Sequence, residues 1–183
     1  MTLLLIGGSL RKQSVNAAVL ATAAELAPAN ARPGIYGRMA DLPHFNPDDD
    51  RTPLPEPVAD LREALERADA LLLSTPEYAG SLPGSFKNLL DWTIGGSGLY
   101  RLPVGWINPS SHGGSKDTYA ALRIVLERAG ASIIESPCAD VPVPREAVCP
   151  NGRIEAPEIS AVIGRATSEL LEAAKIQECG AGA

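Results

Sequence analysis

Two apolar runs constrain this chain more than anything else in it. The second, Ala70-Leu71-Leu72-Leu73 between Asp69 and Ser74, shows no polar alternation, which a strand can afford only when both of its faces are covered. The first, Leu3-Leu4-Leu5-Ile6, leads directly into Gly7-Gly8 and an alanine-rich amphipathic stretch, the order of strand, turn and helix. Ahead of Asp69, residues 57–68 carry apolar side chains at helical spacing. Buried strands alternating with helices predict an α/β chain: a parallel sheet with right-handed crossovers and helices on both faces. In such sheets ligands sit beyond the carboxyl ends of the strands, so the stretches after Ile6 and Ser74 are the places to look for function.

The remaining elements follow in order. A helix from Val15 onward is stopped by Pro28, and Gly34-Ile35-Tyr36 marks a second strand. Residues 42–50, rich in proline and aspartate, read as a long surface loop; Asp48-Asp49-Asp50 lacks the ligand spacing of a cation loop, and His44 reads as a structural or rim residue. Residues 102–108 form the fourth strand, 119–129 a helix ended by Gly130, and 131–136 the fifth strand, which completes the sheet. Val141-Pro142-Val143-Pro144 is too proline-rich for a central strand and reads as an edge cover or an extension toward a neighbour. A last helix is expected over 159–175. At 183 residues and 45% hydrophobic the chain is expected to be one domain, 1–176, with a disordered tail over 177–183.

Charge narrows the function classes. With 22 acidic against 16 basic residues the net charge is -6, which argues against nucleic-acid or anionic-membrane partners and requires any phosphate to be held locally. Cys138, Cys149 and Cys179 are odd in number and lack C-x-x-C spacing, so no disulfide framework or metal site is expected. Together with the absence of a long apolar segment, they point to a cytoplasmic protein.

The first loop, Gly7-Gly8-Ser9-Leu10-Arg11-Lys12-Gln13-Ser14-Val15-Asn16, gathers hydroxyl and amide donors with two cations at a helix start. That composition suits an anion, most naturally phosphate; an ordinary turn with Ser14 as N-cap would use the same residues. Neither G-x-G-x-x-G nor G-x-x-x-x-G-K-[ST] occurs here, which excludes the dinucleotide and Walker fingerprints. The second loop begins Thr75-Pro76-Glu77-Tyr78-Ala79-Gly80-Ser81-Leu82-Pro83 and runs into Lys87-Asn88 and Asp91-Trp92. Its prolines and glycines hold an extended backbone whose amides can meet the edge of a flat heterocycle, with Tyr78 as a packing surface.

Together these loops resemble the NADPH-dependent FMN reductase family, whose members carry G-S-x-R-x-x-S-x-N after the first strand and P-E-Y-x-x-S-x-P-x-x-x-K-N-x-x-D-W after the third. The resemblance implies a flavodoxin-like three-layer sandwich with a five-stranded parallel sheet. It implies that Ser9, Arg11, Ser14 and Asn16 hold the FMN phosphate, and that Pro76, Glu77, Tyr78 and Gly80 line the ribityl chain and ring. Ser110, Ser111, Gly113 and Gly114 would meet the pyrimidine end, where helix-start amides would stabilise the reduced flavin. His112 either donates to that end or faces solvent, and Trp106 either narrows the ring pocket or fills core. Lys87, Asn88 and Asp91 read as an interface or a solvated helix face.

The activity so implied is transfer of hydride from NADPH through FMN to a small acceptor such as a quinone, free flavin, azo compound or metal oxyanion. No protein acid or base need be catalytic, which agrees with two histidines and no G-x-S-x-G elbow. A homodimer or homotetramer is the expected assembly. The rival readings are an electron carrier that takes its electrons from a protein and a flavin binder without turnover.

Overall fold

The computed structural model describes residues 1–111 and 114–181. Its main elements are β1 (Thr2–Gly7), α1 (Val15–Leu26), β2 (Arg32–Tyr36), α2 (Glu56–Glu66), β3 (Ala70–Ser74), α3 (Gly84–Trp92), β4 (Pro103–Asn108), α4 (Lys116–Arg128), β5 (Ser132–Ile133), β6 (Ala139–Asp140) and α5 (Pro157–Ala181). The strands lie in the order β2-β1-β3-β4-β5, all pairs parallel. Chain direction across the sheet therefore reverses between β1 and β3, which opens a crevice above their carboxyl ends.

The apolar runs form strands because alternate residues serve two different cores. Leu4 and Ile6 of β1, with Leu71 and Leu73 of β3, pack against α2, α3 and α4. Leu3 and Leu5, with Ala70 and Leu72, pack against α1 and α5. Each fully buried leucine of this kind contributes about 2 kcal/mol relative to exposure. A polar residue at any of these positions would strip one helical layer of its contact.

The far edge of the sheet differs from the expectation. β5 is only two residues long, and after the rung from Ile134 N to Val104 O (2.9 Å) the chain lifts off around Pro137. Pro137 packs where Gly105 lacks a side chain: a Cβ on Gly105 would meet Pro137 Cγ at 2.8 Å. The chain then returns as β6, pairing Ala139 with Ile107 and Asp140 with Asn108. The proline-rich stretch continues this course, with Val141 N bonded to Asn108 O and Val143 N to Pro109 O, and both valines buried. It thus covers the edge of β4 at its exit, as the edge-cover reading expects.

Three other expectations are corrected or sharpened. α5 runs to Ala181, so the stretch from residue 177 is helical to that point: it continues a long helix without a proline to stop it, despite Gly180, and Gln177 Nε2 donates to Arg101 O at 2.6 Å. Residues 182 and 183 lie outside the described residues. The half-buried Asn88 does more than face solvent: its side chain accepts from Phe45 N (2.8 Å) and donates to Pro43 O (2.9 Å), tying the 42–50 loop to α3. In that loop Asp50 pairs with Arg62 at 2.8 Å, both side chains largely buried, so of the three aspartates only Asp48 and Asp49 are exposed. The three cysteines are free, and no helix among the described residues is long and apolar enough to cross a membrane.

Candidate functional site

Two cavities open beyond the carboxyl ends of β1, β3 and β4. One, of about 480 Å³, is lined by Ser9, Arg11, Lys12, Ser14, Asn16, Pro76 and Tyr78 from the first two loops, and by Arg145, Val148, Cys149 and Gly152 from the segment after β6. The second, of about 350 Å³, is lined by Glu77, Ser110, Ser111, Gly114 and Ser115. Val15, Asn16, Pro76 and Arg145 line both, so the two are compartments of one cleft.

The first loop is built as a helix entrance. Ser14 Oγ accepts from Ala17 N at 3.0 Å, so the N-cap reading is realised; the cap leaves the earlier amides of α1 without an intrahelical partner. Asn16 is 6% exposed, and its Oδ1 lies 2.9 Å from Ser74 Oγ. Its Nδ2 has no hydrogen bond among the described residues although the side chain lines both compartments. Gly8 N donates to Ser74 O at 2.9 Å, which fastens this loop to the end of β3.

Charge distinguishes the first compartment. Arg11, Lys12 and Arg145 line it, no aspartate or glutamate does, and none of the three cations makes an ion pair among the described residues. In a chain of net charge -6 this is a local excess of positive charge that a dianion would relieve. A phosphate monoester fits the set: cations, hydroxyls of Ser9 and Ser14, free helix-start amides and the unpartnered Asn16 amide.

The second loop is a tight hairpin. Tyr78 N bonds to Ser81 O at 3.0 Å and Ser81 N to Tyr78 O at 3.1 Å, with Ala79 and Gly80 at φ 51° and 73°. Gly80 lines neither compartment; its place is in the turn, where a primed geometry demands positive φ. The hairpin holds Tyr78 52% exposed at the cleft, not in the core. Glu77 Oε2 accepts from Thr118 Oγ1 at 3.2 Å, which fixes the carboxylate against α4.

The third loop is organised by Asn108, whose Nδ2 donates to Asp140 Oδ1 (2.8 Å) and Gly114 O (3.1 Å) while its Oδ1 accepts from Ser110 N (3.2 Å). Ser115 enters α4 at φ 67° and gives no side-chain cap, so the first-turn amides of that helix stay available beside the second compartment. His112 and Gly113 lie outside the described residues. Beneath both loops the Tyr119 hydroxyl accepts from Thr75 N at 3.1 Å and lies 2.9 Å from Ile107 O and 3.1 Å from Thr75 O. Burial pushes this phenol well above its ordinary pKa, so it stays neutral and serves as a structural tie.

Trp106 lines neither compartment. It is buried against Tyr119, ring centroids 5.9 Å apart, with the Arg123 guanidinium 5.0 Å from its own centroid, and therefore fills core. What sequence reading missed is the wall over residues 145–152. Arg145 stands in a proline-rich stretch with no period of its own, so only its lone charge between apolar and turn residues marks it.

Comparison with known proteins follows the same lines. The family model for NADPH-dependent FMN reductase matches residues 1–142. A quinone reductase of Escherichia coli (strain K12) is 38% identical over 97 residues, covering 52% of this chain and 48% of that protein. An NAD(P)H-dependent FMN reductase of Pseudomonas aeruginosa is 42% identical over 90 residues, 48% of this chain and 46% of its own. The chain thus spans about half the length of these two relatives. Among solved structures, FerB from Paracoccus denitrificans, a flavoenzyme NAD(P)H:(acceptor) oxidoreductase, superposes with a TM-score of 0.79 at 28% identity, over 93% of this chain and 97% of that one.

Proposed function

We propose, on the premise that this chain belongs to the NADPH-dependent FMN reductase family, that it binds FMN in the cleft, takes hydride from NADPH and passes it to a small acceptor. The observation that carries this reading is the acid-free compartment lined by Arg11, Lys12 and Arg145, continuous with a second one floored by helix-start amides. Bound FMN would supply the hydride chemistry itself. Ser9, Arg11, Ser14 and Asn16 anchor its phosphate, Pro76, Glu77 and Tyr78 line the ribityl chain and ring, and Ser110, Ser111 and Gly114 face the far edge. The amides at the start of α4 favour negative charge there. Quinones are the first acceptors to try, because a relative with 38% identity is named for that activity.

The test is an absorbance titration of the purified protein with FMN, followed by NADPH under anaerobic conditions, where bleaching of the bound flavin is expected. Arg11→Ala raises the FMN dissociation constant about tenfold, the lower end of what a charge-assisted hydrogen bond is worth because Arg11 is exposed. Unchanged affinity removes the first loop from the reading. Bound flavin that NADPH leaves oxidised would instead favour an electron carrier.

A homodimer or homotetramer belongs to the same proposal. Tyr78 lines the cleft and stands 52% exposed, a surface that a second copy would cover. Sedimentation of the active protein is expected to give at least a dimer, and a fully active monomer would refute this part.

A further inference from the structure

We infer that Arg145 makes the cleft selective for a phosphorylated over an unphosphorylated flavin, as a third cation lining the phosphate compartment from outside the first loop. This deepens the reading of the cleft as a flavin site and depends on it. Residue 145 lies beyond residue 142, where the family match ends, so membership of the family does not itself assign it a role.

The wall that carries Arg145 is fixed. Val143 N donates to Pro109 O (3.1 Å), which ties the approach to the exit of β4. Val148 N donates to Arg145 O (3.2 Å), and Val148 bridges Ile154 in a small antiparallel hairpin closed by Cys149 N to Arg153 O (2.8 Å) and Gly152 N to Cys149 O (2.9 Å). Ile154 N donates to Thr22 Oγ1 at 2.9 Å, so the hairpin is moored to α1 as well. An arginine based on such a segment is presented to the cleft with its backbone already ordered, which lowers the entropy lost on binding.

Among the described residues the guanidinium has no competing partner. Arg38, Arg62, Arg67, Arg123 and Arg153 each face a carboxylate, whereas Arg145 has neither an ion pair nor a side-chain hydrogen bond among the described residues. Its sequence neighbour Glu146 lines neither compartment. Glu77 shares the second compartment with Arg145 but makes no ion pair with it among the described residues, and its carboxylate accepts from Thr118. In the first compartment Arg145 meets only Arg11 and Lys12, a mutual repulsion that a dianion converts into attraction. Asn16, more than nine-tenths buried with a free amide, lines the same space and supplies an uncharged donor. The chemistry selected is therefore a phosphate monoester, and a flavin lacking it gains nothing from Arg145.

The experiment compares FMN and riboflavin binding by quenching of flavin fluorescence in wild type, Arg145→Ala, Arg145→Lys and Arg11→Ala, with melting temperatures as a check on folding. Arg145→Ala is expected to raise the FMN dissociation constant about tenfold and to leave that of riboflavin within about twofold, while Arg145→Lys keeps most of the FMN affinity. The salt dependence of FMN binding should also flatten in Arg145→Ala. Equal weakening of both flavins would show that the residue only packs the wall, and unchanged FMN binding would show that it faces no phosphate; either result overturns the inference. If Arg11→Ala lowers the FMN-to-riboflavin preference and Arg145→Ala does not, this inference fails alone. If neither does, the placement of the phosphate fails with it.

Discussion

Gly8→Ala is expected to lower the melting temperature by about 6 to 12 °C, the equivalent of about 3 kcal/mol in a chain of this size. A Cβ at position 8 would stand 2.0 Å from Thr75 Oγ1 and 2.5 Å from Thr75 Cβ, with Phe86 Cδ1 at 3.1 Å. None of these atoms can retreat cheaply. Thr75 is β-branched and 1% exposed, and Phe86 is fully buried in the core. Relief must come from parting β1 and β3 at their carboxyl ends, which would break the bond from Gly8 N to Ser74 O and pull the first loop off the second. FMN affinity should therefore fall together with stability. The double variant Gly8→Ala with Thr75→Gly removes the colliding atoms and should recover part of the loss, measured as a coupling energy. A melting temperature equal to wild type in Gly8→Ala would mean that the two loops are not in contact as described.

Tyr119→Phe is expected to cost about 2 kcal/mol at neutral pH, because the Thr75 N–H then stays buried without an acceptor. Its pH dependence carries a distinct signature. Burial raises the Tyr119 pKa above that of the unfolded chain, so the folded state holds the proton more tightly. Stability from that proton is complete below the unfolded value near pH 10 and is lost as pH rises beyond it. Tyr36, pushed up to about 12 chiefly by burial, adds the same slope in both proteins. The gap between wild type and Tyr119→Phe in urea unfolding should therefore narrow above about pH 10. A gap that widens there would show that the hydroxyl ionises more readily in the folded protein than in the unfolded one.

The parts of this molecule that sequence makes legible are those whose cause is local. Leu3 to Ile6 and Ala70 to Leu73 declare a doubly buried strand by composition, and Ser14 declares a helix start by its chemistry. The first and second loops could be found because their donors lie within ten residues of one another. Trp106 could not be assigned, since a strand residue faces one layer or the other according to a pleat register that sequence alone does not fix. The split of the fifth strand at Pro137 answers to a glycine more than thirty residues earlier, and the role of Arg145 exists only once its hairpin is moored to Thr22. Those contacts are tertiary, and no window of sequence contains them.

The two margins of the sheet have a consequence for how the protein behaves when crowded. β2 leaves one side of its backbone unpaired, and its first residues are Arg32, Pro33 and Gly34, all exposed: a charge, a residue with no N–H and a poor strand former. The opposite margin offers only the two residues of β5 before the chain turns away at Pro137. An incoming strand finds no long, flat template on either side. A sheet whose centre is almost wholly aliphatic would be prone to fibrillar stacking if its borders were regular, and here irregular borders keep that chemistry closed to other molecules.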